Sequence, residues 1–172
     1  MASTYELIYA YEVGLLGASS ITFGSGGTIP QTYTDLLIVT SARQTGAAIT
    51  ASLNLELNGS SSGFTYRYLQ GAGSGTPTSG SGSSGYLGQT PAATATASTF
   101  GNAQIYIPNY SGSTYKSIST ETVDELNGTT TYAQMNAVLW SNTSAITSLS
   151  LVSGNGVFAQ YSTAYLYGVK NA

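Results

Sequence analysis

Apolar side chains recur at every second position through much of this chain, the spacing expected of strands with one covered face. Tyr5, Leu7, Tyr9, Tyr11 and Val13 share one side of such a pattern, with Glu6, Ala10 and Glu12 opposite. Ile49, Ala51, Leu53, Leu55 and Leu57 repeat it, alternating with Ser52, Asn54 and Glu56. Asn58-Gly59 follows directly, a dipeptide suited to the positive φ angles of a tight turn. Phe64, Tyr66 and Tyr68 then alternate with Thr65 and Arg67, so a hairpin joining the two stretches is expected.

The stretch from Asp35 to Arg43 differs. Leu36, Leu37, Ile38 and Val39 are apolar on both sides, which predicts a central strand covered on both faces. Further strands are expected at Ile21–Phe23, Gln104–Ile107, Tyr115–Asp124, Tyr132–Trp140, Ile146–Val152 and Thr163–Val169, about ten in all. Turn-forming clusters at 24–27, 109–113, 127–131 and 153–156 separate them. No segment carries a helical stripe. The expected fold is therefore all-β, one antiparallel two-sheet sandwich of jelly-roll type spanning residues 1–172. Trp140 reads as a core anchor of that sandwich. Residues 71–99 are rich in Gly, Ser, Thr, Ala and Pro and carry few bulky apolar side chains. They read as an exposed loop or arm at one end, its first half linker-like.

Composition changes the picture through charge. Only 6% of residues are charged, against a globular norm of about 25%. No ionic side chain occurs from Tyr68 through Tyr115, or from Leu126 through Val169. The polar surface is made instead by 25 serines, 24 threonines and amides. Such a surface stays in solution by hydroxyl hydration or by burial against partners, as in an assembly component or an extracellular module. Arg43, Arg67, Lys116 and Lys170 are scattered, so no clustered cation set is available for nucleic acid. The longest apolar run, Leu7 to Tyr11, is far too short to span a bilayer, and no membrane partner is expected. Glu6 and Glu12 fall where a secretion signal would be apolar, so the segment does not read as one; release by lysis or assembly, or a signal already removed, is expected, and Met1 favours the first.

The chain has no cysteine and no histidine. That removes disulfides, thiol catalysis, a Ser-His-Asp triad and a His-ligated zinc site, and no catalytic residue, cofactor or metal is expected. Glu121, Asp124 and Glu125 form one acidic cluster. On an extended strand Glu121 and Glu125 would stand about 13 Å apart, too far for a glycosidase pair. Among fourteen tyrosines, Tyr86, Tyr106, Tyr110, Tyr115 and Tyr161 lie in or near expected loops. Aromatic platforms of this kind bind sugars or partner proteins, which makes these five the candidate partner or glycan contacts.

Several stretches resemble small virion structural proteins of tailed bacteriophages: Ile21 to Gly24 with Ile29 to Arg43, the leucine strand ending at Gly59, Val138 to Leu151, and above all Phe158 to Gly168. The resemblance covers about half of the chain and leaves residues 71–99 unmatched. It implies a jelly-roll-like domain on the virion exterior, in homo-oligomers, a trimer first among them. The major capsid protein or another virion protein is the implied partner. The chain has no long stalk of its own, which favours a capsid decoration or cement role; a tail-associated receptor- or glycan-binding module is the alternative.

Overall fold

The computed structural model describes residues 4–73, 75–128 and 131–170. Twelve strands follow one another along the chain: β1 (Tyr5–Glu12), β2 (Ser20–Phe23), β3 (Asp35–Ala42), β4 (Thr50–Leu57), β5 (Phe64–Gly71), β6 (Thr78–Gly82), β7 (Tyr86–Pro91), β8 (Gly101–Ile107), β9 (Lys116–Asp124), β10 (Tyr132–Trp140), β11 (Leu149–Ser153) and β12 (Thr163–Val169). They form an eight-stranded sheet in the order β1-β12-β3-β8-β9-β10-β5-β6 and a four-stranded sheet in the order β2-β11-β4-β7. All ladders are antiparallel. The architecture is the expected sandwich. Its division is eight to four, and β8, β9 and β10 run as a meander within the larger sheet.

The core lies between the sheets. Leu53, Leu55 and Leu57 of β4 and Leu149 and Leu151 of β11 meet Leu36 and Ile38 of β3, Ile105 and Ile107 of β8, and Leu166 of β12, all essentially inaccessible to water. Trp140 is buried as expected and stacks on Phe64, ring centroids 6.2 Å apart. Lys116 is buried beside it. Its Nζ donates to the carbonyls of Gly112 and Ser144 at 2.7 and 2.6 Å and lies 5.7 Å from the Trp140 ring centroid. Burial without a carboxylate partner lowers the ammonium's pKa.

Three expectations change. The first concerns β1. Its register slips between Leu7 and Tyr9, with Leu7 opposite Tyr167 and Tyr9 opposite Leu166. One extra residue, Ile8, inverts the alternation. Tyr5 and Leu7 therefore face outward, whereas Ile8 and Tyr9 pack on the core. The second is the hairpin at Asn58-Gly59. The turn forms, with φ of 53° and 71° and a Leu57–Ser60 bridge, but β4 and β5 belong to different sheets. Gly63, at φ 80°, redirects the chain, and Phe64 enters the other layer against Trp140.

The third is the 71–99 segment, which is no arm. It contributes β6 to the large sheet and β7 to the small one, and Leu87, Thr90 and Ala92 are buried. Gly88, at φ 136°, lies so close to Thr122 that a Cβ there would come within 2.3 Å of its Oγ1; a small residue is what lets β7 approach the sheet. Beyond β7, the Arg43 guanidinium donates to the carbonyls of Ala95, Thr96 and Thr99 at 3.1, 2.8 and 3.0 Å and holds the loop down. Glycine and serine here serve close packing between backbones. Their scarcity of side chain suggested looseness only because the partners were distant in sequence.

Candidate interaction surface

The four-stranded sheet covers one face of the large sheet and leaves the other open. On the open face, strand register assembles side chains into continuous cross-strand rows. One runs Leu7, Tyr167, Leu37, Tyr106, Ser119, Ala137, Arg67 and Ser81, crossing all eight strands. The next runs Ala10, Tyr165, Val39, Gln104, Glu121, Met135, Leu69 and Ser79. A third, shorter at the β6 end, runs Glu12, Thr163, Ser41, Asn102, Val123, Ala133 and Gly71. Tyr5 extends the patch at one corner.

These rows carry three charged residues, Glu12, Arg67 and Glu121, among aromatic and aliphatic neighbours. Met135, Leu69, Tyr5 and Leu7 are 60%, 56%, 54% and 53% exposed. Leu37 and Val39, expected to be covered on both faces of a central strand, are instead half-buried on this open one. Two shallow depressions of about 310 and 400 Å³ lie side by side here, with Met135 and Glu121 lining both. At 4.8 Å per strand the eight strands span about 34 Å, and the rows extend about 20 Å along the strands. The face is thus on the order of 700 Å², close to the roughly 800 Å² that one partner contributes to a standard protein interface.

Tyr106 is held on the face from below. Its hydroxyl donates to Oδ2 of buried Asp35 at 2.6 Å, and Asp35 Oδ1 accepts the Asn109 backbone N–H at 2.8 Å. The hydrogen bond to that carboxylate pushes the phenol pKa up to about 12, with burial adding to it. The ring therefore stays neutral and fixed in orientation.

The five tyrosines read from the sequence do not converge. Tyr106 belongs to the open face. Tyr110 is fully buried, its hydroxyl donating to the Pro30 carbonyl, so it is a core residue of the loop after β8. Tyr86 sits within β7, its ring 4.9 Å from Tyr66 and its hydroxyl 3.1 Å from Gln134 Oε1. Tyr115 and Tyr161 are exposed, the latter in a turn at φ 70°. The acidic cluster does not converge either. Glu121 stands on the open face, Asp124 points inward, and Glu125 accepts the Asn127 backbone N–H at 2.8 Å. Among the described residues no group of His, Cys, Asp and Glu is arranged to hold a metal ion.

Sequence reasoning missed Leu7, Leu37, Leu69, Val123, Met135, Tyr165 and Tyr167. The available signal was apolar residues on both sides of β3, assigned to burial when they mark a face left uncovered. The chemistry this surface can perform is adhesion: an almost ion-free sheet face loses little on desolvation and gains by removing apolar area from water. Comparison with protein-family models, with curated proteins and with solved structures finds no match to this chain.

Proposed function

We propose that this chain is a structural protein of a tailed-bacteriophage virion, a capsid decoration or cement protein that binds the head exterior non-covalently. The single observation that carries the reading is the open face of the eight-stranded sheet, three cross-strand rows with Glu12, Arg67 and Glu121 as their charged members. Its size matches one side of a standard interface, and its partner on this reading is the major capsid protein or another virion protein. The hydroxyl-rich, weakly charged composition and the stretches that resemble virion proteins support the same reading. The chain acts by mass action: whatever binds the assembled shell and not its disassembled subunits stabilises the shell. It performs no catalytic step.

The test uses purified particles. Antibody against the chain labels the head, stripping the chain lowers the temperature at which the heads open, and adding it back restores that temperature. Unlabelled heads, or heads equally heat-resistant without the chain, defeat the reading. A second reading, a tail-associated receptor- or glycan-binding module, draws on the exposed rings of Tyr115 and Tyr161. It requires tail labelling and glycan binding that disappears in Tyr161→Ala.

A further inference from the structure

The sandwich has four sheet edges, and three are blunted. β1 is kinked by its bulge at Ile8 and carries Glu6, paired with Lys170 at 3.0 Å, and Glu12. β2 is four residues long, and β7 has an irregular register and ends in Pro91. Such features are the ordinary means of stopping a strand from pairing with another chain. β6 has none of them. Its sequence, Thr78-Ser79-Gly80-Ser81-Gly82, has no charge, no proline and an unbroken register against β5. Its outward row of N–H and C=O groups faces no other strand of the sheet.

We propose that β6 pairs with β6 of a second copy of this chain, antiparallel about a twofold axis at Gly80, joining two eight-stranded sheets edge to edge. The absence of charge selects a second copy over a different partner. A twofold axis places each residue near its own equivalent, so an ionic edge would meet its like, a contact that destabilises strand pairing. Hydroxyls and glycines meet without that cost. Arg67, the nearest cation, is one strand inward, so the two copies of it lie three strand spacings apart, about 14 Å and beyond the Debye length at physiological salt.

Tyr68 and Tyr66 prepare the edge from the inner side. A Cβ on Gly80 would come within 2.7 Å of the Tyr68 ring, and one on Gly82 within 2.6 Å of the Tyr66 ring. The rings therefore fill the space that side chains at Gly80 and Gly82 would need and cover the inner side of the edge strand, which lowers the ordering cost of adding a strand. This contact is made by the backbone edge of β6, at the border of the open face whose rows end in Ser79 and Ser81, and it is read out by self-association alone.

About an axis at Gly80, Ser79 of one copy faces Ser81 of the other. Both are exposed, so both accept substitution without disturbing the core. Sedimentation velocity of the full chain is expected to show a concentration-dependent dimer. Ser79→Glu with Ser81→Glu places carboxylates opposite carboxylates and raises the dissociation constant about tenfold or more. Ser79→Lys with Ser81→Glu places opposite charges across the axis and restores dimerisation to near the unsubstituted level. Circular dichroism confirms that both variants keep the β fold. A chain monomeric at every concentration, an oligomer indifferent to the double glutamate variant, or a lysine–glutamate variant that fails to recover dimers would each overturn the proposal.

Discussion

The two outward sheet faces of this molecule are built from the same period-two alternation and end with opposite chemistry. On the four-stranded sheet the outer positions are mostly polar, Ser20, Thr22, Ser52, Asn54, Glu56 and Ser150 with Val152 among them, and several bond to one another. Thr22 and Ser150 share a hydrogen bond at 2.9 Å, Asn54 donates to Ser52 at 3.2 Å, and Thr50 donates to Gln89 of the neighbouring strand. That face is satisfied by itself and by water. On the eight-stranded sheet the corresponding positions include Leu7, Leu37, Leu69, Met135, Tyr165 and Tyr167, largely apolar side chains that no second layer covers among the described residues. Both faces are nearly free of ions, so low charge alone does not mark an interaction surface. What distinguishes them is whether the polar groups close on themselves or the apolar area stays open.

The largest effect should come from charging the open face. On the proposed virion reading, Met135→Lys with Leu7→Lys, both at well-exposed positions, should weaken particle binding about a hundredfold, the size of two interface anchors lost together, while leaving thermal stability nearly unchanged. Ser20→Lys with Glu56→Lys on the four-stranded sheet should leave binding intact. Equal losses from both pairs in a particle-binding titration would erase the distinction between the faces.

A smaller effect separates the open side of β9 from its covered side. Glu121 and Val123 face outward, whereas Asp124 is 1% exposed and its Oδ2 has no hydrogen-bond partner. Burial pushes the Asp124 carboxyl up to about 7, the charge of Glu125 pushes the same way, and backbone N–H donors from Tyr132 and Asp124 itself oppose them only in part. In the unfolded chain the same group ionises near 3.8. Its contribution to stability is therefore complete below that value and is lost as pH rises through 7. Denaturant unfolding should show a fall of about 1.4 kcal/mol between pH 6 and pH 8 from this group. Asp124→Asn should flatten that slope; an unchanged slope would place the titration elsewhere.

The smallest effect belongs to the self-satisfied face. Ser150→Ala removes one half-exposed hydroxyl pair and should cost about 0.5–1 kcal/mol in urea unfolding, with no change in particle binding. A larger cost would mean that the hydroxyl face acts as a stabilising network.

Much of the fold was legible because strand formation is a local matter. Alternation in Thr50–Leu57, Lys116–Asp124 and Tyr132–Trp140 announced strands, and Asn58-Gly59 announced a turn that does form. The open face was less legible. Its rows join residues as distant as Leu7, Tyr167 and Leu37, and of the five candidate tyrosines only Tyr106 lies within them. Tyr110 looked like a loop contact because an aromatic between Asn109 and Ser111 is locally indistinguishable from an exposed one; the carbonyl of Pro30, eighty residues away in sequence, is what buries it.

By itself the sequence determined an all-β chain without imidazole or thiol chemistry, since composition and near-neighbour alternation need no knowledge of partners. Tertiary structure alone decided which alternating faces are covered. One inserted residue at Ile8 moved Tyr5 and Leu7 to the outside, a glycine at position 63 turned an expected hairpin into a crossing between layers, and a backbone approach at Gly88 folded a supposed arm into the sandwich. Each outcome depends on pairing between distant segments, where a shift of a single residue exchanges inside for outside.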